Sequence, residues 1–174
     1  YVLLDVPPGD LARIMLELVH AKAAGNVTLP HKRAVFNLCD VTTQMARRVQ
    51  AVNTFWSDGR LLYGDNTDVE GFNAGVQDVI NIRKPNLRIA LLGAGGAACA
   101  VLAATEQWPS ATVIVWNRSP DRVSELLQLF AHARQEMHLS QAVEGADLVI
   151  NATALGLHDD DPFPVDPAIL GPDT

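Results

Sequence analysis

Cysteine and positive charge are both scarce in this chain of 174 residues. Its two cysteines, Cys39 and Cys99, lie far apart and lack the paired spacing of a zinc site or a disulfide framework, so we expect a protein of the reducing cytoplasm. Lysine and arginine total 13 against 20 aspartates and glutamates, and the formal charge is −7. Because no basic surplus can neutralise phosphates, the composition argues against nucleic-acid and anionic-membrane partners.

Long hydrophobic runs are missing as well. The apolar stretches are too short to cross a bilayer, and we expect neither a membrane-spanning helix nor a secretion signal. The chain does have 48% hydrophobic residues with only 19% charged ones, which is typical of a folded globular protein. Its length suits one ordinary domain or two small ones.

The first half of the chain is predicted to mix short strands with helices. Strands are expected at 1–6, 26–29, 51–55 and 60–63. Helices are expected at 10–25, 33–49 and 68–82, the first capped by Asp10 and ended by Gly25, the second with a break near residue 40. The segment Ser57-Asp58-Gly59 indicates a hairpin between the last two strands.

After Asn86 apolar strands alternate with helices. The strands are predicted at 88–92, 112–116 and 146–151. One helix is predicted to follow the cluster at 93–98 and to run to about residue 107, and another to span 120–133. Alternation of this kind is typical of a parallel sheet covered on both faces, so we predict an α/β fold. The change in texture places a domain boundary at 85/86, which gives domains of 1–85 and 86–174.

A glycine cluster follows the strand at 88–92 and opens the next helix. Gly-Ala-Gly-Gly-Ala-Ala at 93–98 suits a dinucleotide, because glycines allow a tight turn and bring backbone N–H groups to a pyrophosphate at a helix N-terminus. The alternative is a glycine turn that serves packing alone. The strand–turn–helix context favours the dinucleotide.

The end of the next strand indicates which dinucleotide. A site that selects NAD places a carboxylate there, whereas this chain has Asn117, Arg118 and Ser119. The planar guanidinium of Arg118 can pair with a 2′-phosphate, so we predict NADP. The alternative is an exposed arginine at a helix start, where the helix dipole disfavours a cation.

Polar groups are concentrated in the segment 26–32, Asn-Val-Thr-Leu-Pro-His-Lys. Pro30 restricts the backbone around an amide, a hydroxyl and an amine, which is what a small polar substrate needs from a binding site. Lys32 with an aspartate from another segment would form a proton-handling pair. The alternatives are a strand running into a turn with an exposed lysine, and helix caps at Asp65 or Asp68.

Six motifs in this order resemble the shikimate dehydrogenase family, over about residues 1–164. They are Asn-Val-Thr-x-Pro-x-Lys at 26–32, Ala-Val-Asn-Thr at 51–54, Gly-Asp-Asn-Thr-Asp at 64–68, Gly-Ala-Gly-Gly-Ala at 93–97, Asn-Arg-Ser at 117–119 and Asn-Ala-Thr at 151–153. The resemblance implies reversible, NADP-dependent reduction of 3-dehydroshikimate to shikimate in aromatic amino-acid biosynthesis. It also implies a substrate-binding domain over 1–85 followed by a Rossmann-like NADP-binding domain over 86–174.

The resemblance assigns roles to individual residues. The catalytic pair would be Lys32 and Asp68, and no metal is implied. The substrate-binding residues would be Asn26, Thr28, Lys32, Asn53 and Asp68. The cofactor-binding residues would be Gly93, Ala94, Gly95, Gly96, Ala97, Asn117, Arg118, Ser119, Asn151, Ala152 and Thr153.

Some of the family pattern is absent. The N-terminal Ser-x-Ser segment that holds the substrate carboxylate is not found, nor are the downstream tyrosine and glutamine of the pocket, and we expect parts of both domains to be missing.

Two alternatives stay open: a dehydrogenase that also accepts quinate, and a dehydrogenase-like regulatory protein that senses a metabolite without turnover. A metal site at His158 with the aspartates at 159–161 is disfavoured against a solvated acidic loop. The expected partner is a small-molecule substrate, and a homodimer stays open.

Overall fold

The computed structural model describes residues 1–171, so the end of the second predicted domain, 172–174, lies outside the described residues. The chain divides into two compact units, Tyr1–Asp68 and the residues from Val69 onward. This division lies upstream of the predicted functional boundary at 85/86, which stays a prediction.

The first unit is a small α/β layer built on a four-stranded sheet. Its elements are α1 Leu11–His20, β1 Ala24–Asn26, α2 Lys32–Leu38, β2 Val41–Thr42, α3 Gln44–Val49, β3 Thr54–Ser57 and β4 Leu62–Asp65, with a 3-10 turn at Pro8–Asp10. The strand order is β1-β3-β4-β2, in which only the β2–β4 pair is parallel. The predicted hairpin joins β3 to β4, and β2 occupies the predicted break between α2 and α3.

The core of this unit is formed between α1 and one face of the sheet. The helix buries Leu11, Met15 and Val19 at helical spacing and packs them with Phe55 and Leu62 from β3 and β4. The face that carries Asn26, Thr54 and Asp65 in register is the opposite one, because alternate residues of a strand point to opposite faces.

Three expectations for this unit are wrong. Residues 1–6 form no strand, since no neighbouring strand pairs with them and residues 1–5 are exposed. The side chain of Asp10 makes no capping hydrogen bond to α1. Its carboxylate forms an ion pair with Arg13 instead, with 3.2 Å between Oδ1 and Nη2. Gly25 does not end α1, which stops at His20; it lies in β1, where a Cβ would be 3.0 Å from the ring of Phe55.

The second unit contains a parallel sheet, as predicted. Its elements are α4 Asp68–Val76, whose first residue belongs to the first unit, β5 Arg88–Leu92, α5 Gly96–Thr105, β6 Thr112–Trp116, α6 Pro120–Leu127, β7 Ala133–Gln135, α7 Leu139–Val143 and β8 Leu148–Asn151, with a 3-10 turn at Pro167–Ile169. The strand order is β7-β6-β5-β8, with every pair parallel. The central strand β5 is completely buried from Ile89 to Leu92, which is why it is continuously apolar.

Element ends differ from the prediction where sheet pairing outweighs local propensity. The helix α6 ends at Leu127 instead of residue 133, because Ala133 to Gln135 pair with β6 as the edge strand β7. The short helix α7 was not predicted; it buries Ala142 and Val143. The helix α4 ends at Val76, earlier than the predicted end at residue 82.

Within residues 1–171, no helix combines the length and apolarity that crossing a bilayer requires.

Close packing at Gly64 in β4 yields a stability prediction. A Cβ at this position would lie 2.6 Å from Cys39 Sγ and 2.6 Å from Val52 Cγ2, so Gly64→Ala should lower the free energy of unfolding by about 1–3 kcal/mol. The control is Gly71→Ala in α4, where a Cβ meets no atom within 4 Å and alanine should leave stability unchanged or raise it by up to about 1 kcal/mol. Urea denaturation measures both, and equal stability of the two variants would contradict the packing argument.

Candidate functional site

The carboxylate of Asp68 and the amine of Lys32 form an ion pair in the first unit. Lys32 begins α2 and Asp68 begins α4, and the distance from Nζ to Oδ2 is 2.8 Å. The side chains are 20% and 28% exposed, so the pair is partly shielded and still open to a ligand. The backbone of Lys32 is held in turn, because its carbonyl accepts a hydrogen bond of 2.9 Å from the N–H of Val52.

Asn53 holds the other oxygen of the same carboxylate. Its Nδ2 donates to Asp68 Oδ1 at 2.7 Å, and its Oδ1 accepts from the backbone N–H of Thr67 at 3.0 Å. The side chain is only 8% exposed, and an amide buried to this degree needs such partners. Each oxygen of Asp68 therefore has its own donor, and the carboxylate is oriented rather than free to rotate.

Asn26 joins this cluster through Thr54. Its Nδ2 donates to Thr54 Oγ1 at 3.2 Å, and Thr54 Oγ1 donates to Asn53 Oδ1 at 3.0 Å. The path Asn26–Thr54–Asn53–Asp68–Lys32 thus connects four of the five predicted substrate residues. Thr28 lies beside this path: its side chain is exposed, and its backbone carbonyl accepts from the N–H of His31 at 3.0 Å.

Sequence reasoning missed three members of the cluster, Thr54, Asn66 and Thr67. Asn66 is buried, accepts the N–H of Asp68 at 3.1 Å and donates to the carbonyl of Ala51 at 3.1 Å. The signal lay in the register of the predicted hairpin, since pairing Thr54 with Asp65 brings the Asn53 side chain to the turn that follows.

The helix-cap interpretation fails for both aspartates in the turn. Asp65 accepts from the hydroxyl of Thr43 at 2.5 Å and from the N–H of Asn66 at 2.7 Å, so it fastens the start of α3 to the turn. The carboxylate of Asp68 is engaged by Lys32 and Asn53. The exposed-lysine interpretation of segment 26–32 fails as well, because Lys32 is paired and partly buried.

Cys39 lies near this cluster in sequence but is chemically quiet. Burial, with the nearby charge of Asp40, raises the pKa of the thiol to about 11. The thiol is therefore protonated at neutral pH and is a poor nucleophile.

Among residues 1–171 there is no group of three or more histidines, cysteines, aspartates or glutamates placed to hold a metal ion.

In the second unit, the carboxyl ends of β5 and β8 lie side by side. The chain reverses its direction of winding between these strands, which is where doubly wound sheets bind ligands. Gly93 follows β5 with φ +116°, and a Cβ there would lie 2.7 Å from the carbonyl oxygen of Ala152. Backbone conformation and contact with the neighbouring loop both require glycine at this position.

The turn after Gly93 suits a pyrophosphate. Ala94 leads to Gly95, which has extended backbone, and a Cβ on Gly95 would meet no atom within 4 Å. The helix α5 begins at Gly96, so the N–H groups of Gly96 and Ala97 belong to its first turn and have no carbonyl partner within the helix. The N–H donors at the start of this ten-residue helix, together with the open space at Gly95, therefore suit the binding of an anionic group.

The segment after β6 presents a cation and a hydroxyl. Arg118 and Ser119 are exposed, and the Ser119 side chain makes no capping hydrogen bond to α6. Asn117 is turned back onto the segment, where its Nδ2 donates to the carbonyl of Ser119 at 3.0 Å. The predicted phosphate-binding segment is therefore available to a ligand, with Asn117 shaping the turn.

The segment after β8 uses its polar groups internally. Asn151 Oδ1 accepts from the N–H and the hydroxyl of Thr153, at 3.0 and 2.7 Å, and its Nδ2 donates to the carbonyl of Leu155 at 2.8 Å. Ala152 contributes its backbone, whose N–H bonds to the carbonyl of Leu92 at 2.8 Å. These three predicted cofactor residues build the wall beside the glycine turn.

Comparison with known proteins gives relatives in sequence and in structure. Residues 1–55 match the family described as the shikimate dehydrogenase substrate binding domain. A shikimate dehydrogenase (NADP(+)) from Moorella thermoacetica is 37% identical over 170 residues, which cover 90% of this chain and 56% of that protein.

Solved structures show the same fold. Shikimate dehydrogenase from Aquifex aeolicus superposes with a TM-score of 0.88 at 29% identity, covering 97% of this chain and 62% of that one. Shikimate 5-dehydrogenase from Thermus thermophilus, in complex with NADP(H) and shikimate, gives 0.82 at 34% identity, covering 95% and 61%.

The chain spans about three fifths of the length of the relatives that it matches. Similarity extends over nearly the whole chain, in sequence as in fold. The chain therefore belongs to the shikimate dehydrogenase family.

Proposed function

We propose that the protein catalyses the reversible NADP-dependent interconversion of 3-dehydroshikimate and shikimate, in the cytoplasm and as part of aromatic amino-acid biosynthesis. The observation that carries this proposal is the pair of Lys32 and Asp68 at 2.8 Å, with the carboxylate held from its other side by Asn53. The names of the relatives support it, since they are NADP-dependent shikimate dehydrogenases.

The substrate site is proposed to lie on the exposed side of the polar cluster. Lys32, Asp68 and Asn26 retain exposed surface, whereas Asn53 and Asn66 are buried behind them. Ammonium, carboxylate and amide groups can together bind several hydroxyls of a ring, and Thr28 adds a hydroxyl at the edge.

Proton transfer is assigned to Lys32. When the ring ketone is reduced, its carbonyl carbon gains a hydride and its oxygen gains a proton, so a donor must lie within hydrogen-bond reach of that oxygen. The ammonium of Lys32 donates the proton, and in the reverse direction its amine removes the proton from the hydroxyl. Asp68 orients the amine through the ion pair, and Asn53 keeps the carboxylate in position.

The cofactor is proposed to bind along the carboxyl edge of the parallel sheet. Gly93, Gly95 and the first turn of α5 would hold the pyrophosphate, and Arg118 with Ser119 would hold the 2′-phosphate. Bound NADP supplies or accepts the hydride. On this basis the substrate-binding domain is 1–85 and the NADP-binding domain begins at residue 86.

The first test is a spectrophotometric assay of NADP reduction with shikimate, run beside quinate and with NAD in place of NADP. We expect turnover with shikimate and NADP and at least about tenfold lower kcat/KM with quinate, equivalent to about 1.4 kcal/mol. Equal use of quinate would assign the dual-specificity alternative. Binding of shikimate without turnover would assign the regulatory alternative.

Removing the proton donor should affect turnover more than binding. For Lys32→Ala we expect kcat to fall by about 10²- to 10⁴-fold, the usual contribution of a positioned acid or base, with KM for shikimate changed far less. The control is Arg33→Ala, which removes the neighbouring exposed cation of α2. Comparable losses in kcat and in affinity would argue against a proton-transfer role for Lys32.

Removing the guanidinium of Arg118 should weaken the binding of NADPH but not that of NADH. Charge-assisted hydrogen bonds to a phosphate contribute about 1.5–3 kcal/mol, so Arg118→Ala should raise the Kd for NADPH by about 10- to 100-fold and leave that for NADH unchanged. Fluorescence titration with both cofactors measures the preference. Arg122→Ala, an exposed arginine of α6, is the matched control, and an unchanged NADPH/NADH ratio in Arg118→Ala would refute the assignment.

A further inference from the structure

The conformation of the loop that follows β8 is fixed by hydrogen bonds of two side chains, those of Asn151 at the end of β8 and Asp161 in the loop. We call residues 152–161 the β8 loop. At its start Asn151 bonds to Thr153 and to the carbonyl of Leu155. At its end Asp161 Oδ2 accepts two hydrogen bonds of 3.0 Å, from the backbone N–H groups of Gly156 and His158.

Asp161 is distinct from the two aspartates that precede it. Asp159 and Asp160 are exposed, whereas Asp161 is half-buried, and its own N–H donates to the carbonyl of His158 at 3.0 Å. The solvated acidic loop expected from the sequence therefore describes Asp159 and Asp160 only. A carboxylate that accepts two backbone N–H groups makes strong, charge-assisted bonds, so the loop conformation depends on it.

The segment that Asp161 holds is apolar at its tip. Leu155 and Leu157 flank Gly156, which has φ +91°, and they are 37% and 66% exposed. Apolar side chains presented to solvent beside a ligand-binding edge are suited to covering a flat, aromatic part of a ligand. The loop itself is anchored to that edge, because the backbone of Ala152 lies against Gly93.

The strand order decides which part of a dinucleotide meets this loop. The glycine turn after β5 lies between the segment after β6, which carries Arg118, and the β8 loop. A dinucleotide whose pyrophosphate lies on the turn and whose 2′-phosphate lies at Arg118 has its adenosine on the β6 side. Its nicotinamide half then extends to the β8 side.

We propose that Asp161 is a positioning residue that holds Leu155, Gly156 and Leu157 against the nicotinamide end of bound NADP. This inference rests on the proposed function for the identity of the ligand. Asp161 does not bind the cofactor itself, since its carboxylate is engaged by the loop and its charge would repel a phosphate. Its effect is transmitted through the loop backbone.

Three variants separate this role from a charge effect and from general destabilisation. Asp161→Ala removes the acceptor. Asp161→Asn retains one oxygen, which suffices because both N–H groups bond to the same atom, Oδ2. Asp160→Ala removes an exposed charge next to it and is the matched control.

The first measurement is amide hydrogen exchange of the ligand-free protein, which requires no activity. In Asp161→Ala we expect exchange at Gly156 and His158 to accelerate by about tenfold or more, while the amides of β5 and β8 keep their protection. Asp161→Asn should restore protection at both amides, and Asp160→Ala should behave as the unmodified protein.

The second measurement is cofactor binding and turnover. Asp161→Ala should raise the Kd for NADPH by about tenfold, equivalent to about 1.4 kcal/mol, and lower kcat with little change in KM for shikimate. Asp161→Asn should recover most of both. The proposal is overturned if Asp161→Ala binds NADPH as tightly as the unmodified protein, or if Asp161→Asn fails to restore protection and binding. Failure of the proposed function would appear separately, as an unmodified protein that binds NADPH and does not oxidise shikimate.

Discussion

The buried amide of Asn53 is the group on which the geometry of the polar cluster depends. It joins two segments of the chain, the residues just before β3 and the turn that leads into α4. With its Nδ2 on Asp68 and its Oδ1 on the N–H of Thr67, it fixes the position of the carboxylate before any ligand arrives. Because a buried amide left without partners would cost about 1–3 kcal/mol, the turn and the strand are held together as one unit.

That constraint explains how an aspartate and a lysine with 35 residues between them form one oriented ion pair. Lys32 is held by its own backbone bond to Val52, the residue that precedes Asn53. Val52 and Asn53, the two residues before β3, therefore position both members of the ion pair. Such preorganisation is what a site for a small polar substrate requires, since a displacement of about 1 Å is enough to reduce catalysis.

The parallel sheet depends on a different constraint, a close approach of two backbones. Gly93 and Ala152 follow neighbouring strands, and no side chain fits between them. This contact brings the glycine turn and the β8 loop to the same edge. The internal bonds of Asn151 and Asp161 then shape the loop, so a rigid scaffold carries a segment whose conformation depends on a few polar groups.

Local patterns in the sequence were sufficient for the α/β class, the hairpin and the glycine turn. They were sufficient because each depends on residues close together in the chain: a buried strand is continuously apolar, a tight turn needs glycine, and an apolar stripe repeats at helical spacing. Residues 1–6 show where this fails, since their strand-like pattern has no partner strand.

Only the tertiary structure decided which groups meet. The roles of Thr54, Asn66 and Thr67 follow from the register of β3 on β4, and the short strand β7 exists because β6 offers it an edge. The acidic run at 159–161 looks uniform in the sequence, yet only Asp161 faces the loop backbone. The physical reason is the same in each case: a hydrogen bond needs its donor and acceptor within about 3 Å, and for residues distant in sequence that distance is determined by packing.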